Sequence, residues 1–170
     1  MPVLVTTSRR PTRRSRRLAK ELCRVLPYFK KINRGRMGYK DLREYMIKKG
    51  FTRLIIIENY KGNPGIMEFL TLDEVFLRRV GRLVIKSLSL QVDIRRDYIF
   101  SSLKKVEFVN VDEDIAESLS LFFHPYYSVS EGTEGTLRIV GDEEELSFNF
   151  YDNNGKRVPP HFSGRYITYE

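Results

Sequence analysis

One cysteine, two histidines and no tryptophan occur in this chain of 170 residues. A single thiol, Cys23, rules out an intrachain disulfide and any zinc site built from cysteine pairs, and its place beside apolar helix positions predicts a buried, inert role. His124 precedes a proline and His161 follows one, and no nucleophile or carboxylate stands at a spacing that would recruit either as a base. No apolar run approaches the 18 residues or so of a membrane-spanning helix. The N-terminus carries charge where a secretory leader has an apolar stretch, and there is no Walker-type glycine loop. These absences point to a soluble, cytoplasmic protein with no cofactor and no metal, and away from phosphoryl-transfer or redox chemistry.

Acid is also scarce where base is dense. Residues 1–50 hold 16 Lys and Arg against 3 Asp and Glu, net +13, whereas residues 51–170 hold 14 against 19, net −5. The whole chain carries +8, with a pI near 9.6. A basic segment on a mildly acidic body is the footprint of a nucleic-acid binder with one working face. With 41% hydrophobic and 12% aromatic residues there is enough for a core, and the length suits one domain or two small, closely packed halves.

The chain is organised around Val3 to Pro27. Val3, Leu4, Val5 and the threonines after them read as a buried strand. Leu18, Leu22, Val25 and Leu26 then follow helical spacing, with Pro11 expected in the first turn and Pro27 as the stop. Between strand and helix stand Arg9, Arg10, Arg13, Arg14, Arg16 and Arg17, with no acid before Glu21. Positive charge at a helix N-terminus opposes the dipole, a cost that a bound polyanion offsets. A strand-to-helix turn also offers free N–H groups to phosphate, and arginine forks bind its oxygens bidentately.

Downstream, residues 28–32 read as a second strand and residues 33–38 as a basic loop in which Arg34 and Arg36 add phosphate contacts. Residues 39–49 form a second helix, stopped at Gly50. The run 52–58, TRLIIIE, is expected to be a central strand covered on both faces. This βαβαβ order implies parallel pairing. Residues 66–72 then return as a hairpin partner, while residues 73–80 remain ambiguous. Further elements are a strand over 82–94, a helix over 112–123, and strands over 136–140, 146–151 and 166–169, with a turn at 152–155. Asp112, Glu113 and Asp114 cannot all face one site on a helix, and an acidic helix start explains them without a magnesium ion. Tyrosines such as Tyr126 and Tyr127 are read as packing residues before base-stacking ones. LIIIENYKGNPGIMEFL and LSFNFYDNNGKRVPPHF share a strand, an Asn/Gly-rich turn and a returning segment, a weak internal echo.

The stretch VTTSRRPTRRSRRLAKEL resembles the opening motif of the Brix-domain family of ribosome-biogenesis proteins, in which a T-T-S-R strand end precedes a proline-containing turn and a helix bearing A-K-E-L. YKDLREYMIKKGFTRLIII and the turn from Gly62 to Phe69 add to the likeness, which is sharp over residues 4–70 and extends in order over most of the chain. Thr7, Ser8 and Arg9 fall on the family's T-S-R, and Lys20 and Glu21 on its K-E. The arginines at positions 10, 13, 14, 16 and 17 exceed the usual pattern, and the turn GNPGIMEF departs from a commoner G-P-T form.

The resemblance implies an α/β fold and a single Brix domain over 1–170, with an N-terminal half of about 1–80 and a C-terminal half of about 81–170. Each half would be a small mixed sheet packed with helices, like the anticodon-binding module of class II aminoacyl-tRNA synthetases. It also implies a non-enzymatic factor that binds ribosomal RNA precursor and assists its processing, folding or subunit assembly, and a single-domain protein of this charge is expected to be a monomer. The expected RNA contacts are Ser8, Arg9, Arg10, Arg13, Arg14, Arg16, Arg17, Lys20, Arg34 and Arg36. The alternative is an adaptor whose acidic C-terminal half recruits a basic ribosomal or assembly protein.

Overall fold

The structure, a computed structural model, describes residues 2–90, 100–126, 133–142 and 144–169. In chain order the elements are β1 (Val3–Thr7), α1 (Arg13–Val25), β2 (Phe29–Lys31), α2 (Tyr39–Lys49), β3 (Arg53–Tyr60), β4 (Asn63–Leu72), β5 (Leu77–Ser89), β6 (Phe100–Val109), α3 (Glu113–Ser120), β7 (Thr133–Asp142), β8 (Glu145–Tyr151) and β9 (Arg157–Thr168). The strands form one nine-stranded sheet in the order β2-β1-β3-β4-β5-β9-β8-β7-β6.

β1 pairs in parallel with both β2 and β3, as the βαβαβ order requires, and β3, β4 and β5 continue antiparallel. From the other edge a similar succession recurs, without a counterpart of the β2–β1 pair among the described residues. β6 and β7 are parallel, and β7, β8 and β9 follow antiparallel. The two series are joined by antiparallel pairing of β5 with β9, so the small sheets expected from the sequence are fused into one.

Side chains alternate across a strand, and β1 and β3 use both faces. Val3, Val5, Ile55 and Ile57 meet Leu18, Leu22 and Val25 of α1 in the larger core, which continues through Phe69, Leu119 of α3, Phe148, Phe150 and Phe162. Leu4, Leu54 and Ile56 point the other way, onto Leu42 and Met46 of α2. The run TRLIIIE is therefore buried on both sides. Each fully buried leucine or isoleucine here contributes about 1.5–3 kcal/mol. Cys23 packs against the larger core, and burial pushes its thiol up to about 12.

Several boundaries differ from those expected. Helix α1 starts at Arg13, because Thr12 takes the N-cap position and accepts from the Ser15 N–H at 3.3 Å; Pro11 precedes the cap. Helix α3 ends at Ser120, with Asp112 as its N-cap residue. Phe122 and Phe123 lie beyond it, Phe122 edge-on to Phe69 and Phe123 stacked on Phe29. Of the ambiguous residues, 73–76 form a turn and the rest open β5. That strand ends at Ser89, and positions 91–94 of the expected strand lie outside the described residues, as does Tyr127.

One strand, β6, escaped the sequence reading, and β9 was read only in its last residues. In β6 the register shifts between Leu103 and Lys105, so alternation breaks at the paired lysines. β9 is far longer than the expected 166–169, because Pro159 and Pro160 disguise it. Its pairing with β8 shifts register between Phe148 and Phe150, where these prolines need donate nothing to the ladder.

Candidate nucleic-acid interface

The carboxyl ends of β1 and β2 lie side by side, and the loops that leave them enclose a concave pocket of about 360 Å³. In open α/β sheets this end of the parallel strands is where ligands bind. Arg9, Arg16, Lys31 and Arg34 line the pocket, together with Thr7, Pro11, Ile32, Asn33 and Gly35, and among the described residues no carboxylate does. The walls are fixed by a bond from the Thr6 hydroxyl to the Ile32 carbonyl, at 2.9 Å.

Arg34 forms the base of this site. It is 6% exposed, its Nε donates to the Met37 carbonyl at 2.5 Å, and an Nη donates to the Thr7 carbonyl at 3.2 Å. Burial pulls its guanidinium below the ordinary arginine value, with Tyr39 raising and Arg9 further lowering it. The expectation that Arg34 rides on a loose basic loop is corrected: it is an internal tie between two loops, and Gly35, at φ +56°, supplies the left-handed turn that brings it there. Arg36, two residues on, is exposed and lies outside the pocket lining.

The other expected residues divide into four groups. Arg9 and Arg16 are exposed and line the pocket. Arg13 and Lys20 are exposed on α1 at a spacing that extends this charge along the helix, with Arg17 and Arg24 at its margin. Arg17 already pairs with Glu21 at 3.2 Å, and Glu21 is 1% exposed, so the cluster contains an internal counter-charge. Arg14 is half-buried.

Ser8 and Arg10 are held by an agent that the sequence did not disclose. Asn59, at the end of β3, donates to the Arg10 carbonyl at 2.6 Å and to the Ser8 hydroxyl at 3.4 Å. Its side-chain oxygen accepts from the Thr12 N–H at 3.2 Å and from the Ser15 hydroxyl at 2.5 Å. The helix-start donors Thr12 N–H and Ser15 N–H are thus satisfied inside the protein. The expectation that this turn offers its free N–H groups to phosphate is corrected at those two positions, and recognition falls to the side chains.

Lys31 is the second residue missed. Its Nζ rests on Asn33 Oδ1 at 3.1 Å, facing the arginines. The Lys30-Lys31 pair at a strand end was a signal for it, since alternation sends one of the two to each face. Asn59 had none, because its partners are 44 or more residues away.

At the far side, the carboxyl end of β6 and the β7–β8 turn form a pocket lined by Asp112, Asp142, Glu144 and Glu145, with Arg165 the one base among the described residues that line it. The sheet therefore carries opposite charge at these two places.

Comparison with known proteins gives the family. A probable Brix domain-containing ribosomal biogenesis protein of Methanosarcina mazei is 33% identical over 122 residues, which cover 72% of this chain and 71% of the relative. The chain belongs to the Brix-domain ribosomal biogenesis proteins. A Brix relative from Thermococcus kodakarensis is 37% identical over 92 residues, 54% of this chain, and one from Pyrococcus horikoshii is 36% identical over 89. Those matches span only 44% and 40% of the relatives' own lengths. No protein-family model matches the chain. The Brix fold is matched by the crystal structure of a probable ribosomal biogenesis protein from Aeropyrum pernix, with a TM-score of 0.75 at 21% identity over 96% of each chain. It is matched also by the archaeal protein Mil, with a TM-score of 0.70 at 19% identity, covering 98% of this chain and 99% of that one.

Proposed function

We propose that the chain is a ribosome-biogenesis factor that holds ribosomal RNA precursor by its phosphate backbone and assists its folding, processing or assembly without catalysis, as a monomer in the cytoplasm. The single observation that carries this reading is the carboxylate-free pocket of Arg9, Arg16, Lys31 and Arg34, continuous with the exposed bases of α1. Such contacts position an RNA strand without reading its bases. The names of the relatives supply the ribosomal context. The repeated succession of parallel and antiparallel pairing supports a Brix domain of two related halves, meeting at β5 and β9, each akin to an anticodon-binding module.

Titration against single-stranded ribosomal RNA fragments at several salt concentrations tests the proposal. Engagement of about six phosphates gives a log-log salt slope near −4, and changing Arg9, Arg13 and Arg16 to Gln lowers both affinity and slope. Binding that is indifferent to salt and to these changes would sink it. The acid-lined pocket favours a second reading, in which a basic ribosomal or assembly protein docks on the other half. That interaction would survive the arginine changes.

A further inference from the structure

Resting on the RNA-binding reading, we infer that the pocket between the ends of β1 and β2 is a socket for one discrete phosphate group, held by Arg34 from beneath and by Arg9, Arg16 and Lys31 around it. A stripe of surface bases attracts any passing polyanion. A socket binds the small anion by itself.

Three features separate this site from the stripe on α1. The first is Arg34, a cation 6% exposed whose protein bonds go to the neutral carbonyls of Met37 and Thr7. Burial disfavours this charge; the Tyr39 ring, its centre 5.7 Å from the guanidinium carbon, and the carboxylate of Glu58 offset part of that cost, and an anion in the pocket offsets more of it. The second is shape. A space of about 360 Å³, with Pro11 and Ile32 among its walls, admits a phosphate and an attached sugar but not a duplex. The third is composition. Three guanidinium groups and one ammonium supply donors only, which suits a phosphate's acceptor-only oxygens, and the lack of a lining carboxylate disfavours amines and metal ions.

The occupant can be the terminal monoester of a cleaved RNA or an internal phosphodiester of a kinked strand. Both present acceptor-only phosphoryl oxygens to the socket, three on the monoester and two on the diester.

The test is calorimetric titration of the full chain with inorganic phosphate at low ionic strength, with chloride as the control anion. Two double variants remove the same net charge: Arg16→Gln with Lys31→Gln in the socket, and Lys48→Gln with Lys49→Gln at the far end of α2. The wild type and the α2 variant are expected to bind one phosphate saturably, and the socket variant to bind it about tenfold or more weakly. Phosphate is also expected to displace bound RNA. Tighter binding of a 5′-phosphorylated oligonucleotide than of its 5′-hydroxyl form then identifies the terminal monoester as the natural occupant, and equal binding identifies the phosphodiester.

Equal weakening in both variants reduces the effect to net charge and overturns the socket. If the wild type takes up no phosphate at concentrations up to about 10 mM while RNA still binds with a steep salt slope, the socket is wrong and the RNA-binding reading stands. If neither binds, both fall.

Discussion

The side-chain oxygen of Asn59 accepts a hydrogen bond from the hydroxyl of Ser15 at 2.5 Å, across 44 residues of chain. This bond fastens the first turn of α1 to the end of β3, so the arginines of the β1–α1 turn are displayed from a braced loop. Asn59→Ala removes five bonds at once, including one to a helix-start N–H. A loss of about 1–2 kcal/mol in urea unfolding is expected, together with weaker RNA binding in conditions where the variant stays folded. Unchanged stability would show the brace to be dispensable.

Arg34→Lys keeps the charge and loses the fork that spans Met37 and Thr7. Lysine cannot make both bonds in one geometry. RNA affinity should fall although net charge is unchanged, and the melting temperature should fall with it. If lysine substitutes without effect, Arg34 acts as a point charge alone.

Glu68 lies on β4 and is 4% exposed, with one carboxylate oxygen buried and lacking a hydrogen-bond partner. Burial raises its pKa, against the opposing pull of Arg79. The folded state therefore holds this proton more tightly than the unfolded chain, and stability is lost as pH rises from the ordinary carboxylate range through the raised value. Glu68→Gln should be more stable than wild type at pH 7, with the difference vanishing as pH is lowered to about 4. Urea midpoints at the two pH values decide it, and a variant less stable at pH 7 refutes it.

The thiol of Cys23, raised to about 12 by burial, is almost wholly protonated at pH 8. Its alkylation should run about a hundredfold or more slower than that of a free cysteine, and recover in urea. Rapid modification of the folded protein would show that this side of α1 opens.

Gly164 sits where β9 meets β5, and a methyl group there would stand 2.1 Å from the Val84 carbonyl oxygen. Backbone on both strands would have to separate. Gly164→Ala should lower stability by about 1–3 kcal/mol, read from the urea midpoint, with one cooperative transition if the seam joins the sheet into a single unit.

The N-terminal half of the fold was legible because its signals are local. Apolar spacing marks α1 and α2, glycine marks the end of α2, and an uninterrupted apolar run marks β3. In the second half β7 and β8 were legible by alternation, but β6 breaks alternation at Lys104 and Lys105, and β9 contains Pro159 and Pro160 at a shift in its pairing with β8. The candidate site was half visible. Arginine density named Arg9 and Arg16, but density could not distinguish an exposed guanidinium from Arg34, buried against carbonyls, or from Arg17, paired with Glu21.

By itself the sequence determined the family, the polarity of charge and the stretch that carries it, because composition and short-range spacing are properties of neighbouring residues. Tertiary structure alone decided which cations share a pocket, that Lys31 joins them, and that Asn59 holds their loop. Those facts depend on the parallel pairing of β1 with β2 and β3, which brings positions 9, 16, 31, 34 and 59 to one end of the sheet. Contacts between residues so far apart in the chain leave no trace in local pattern.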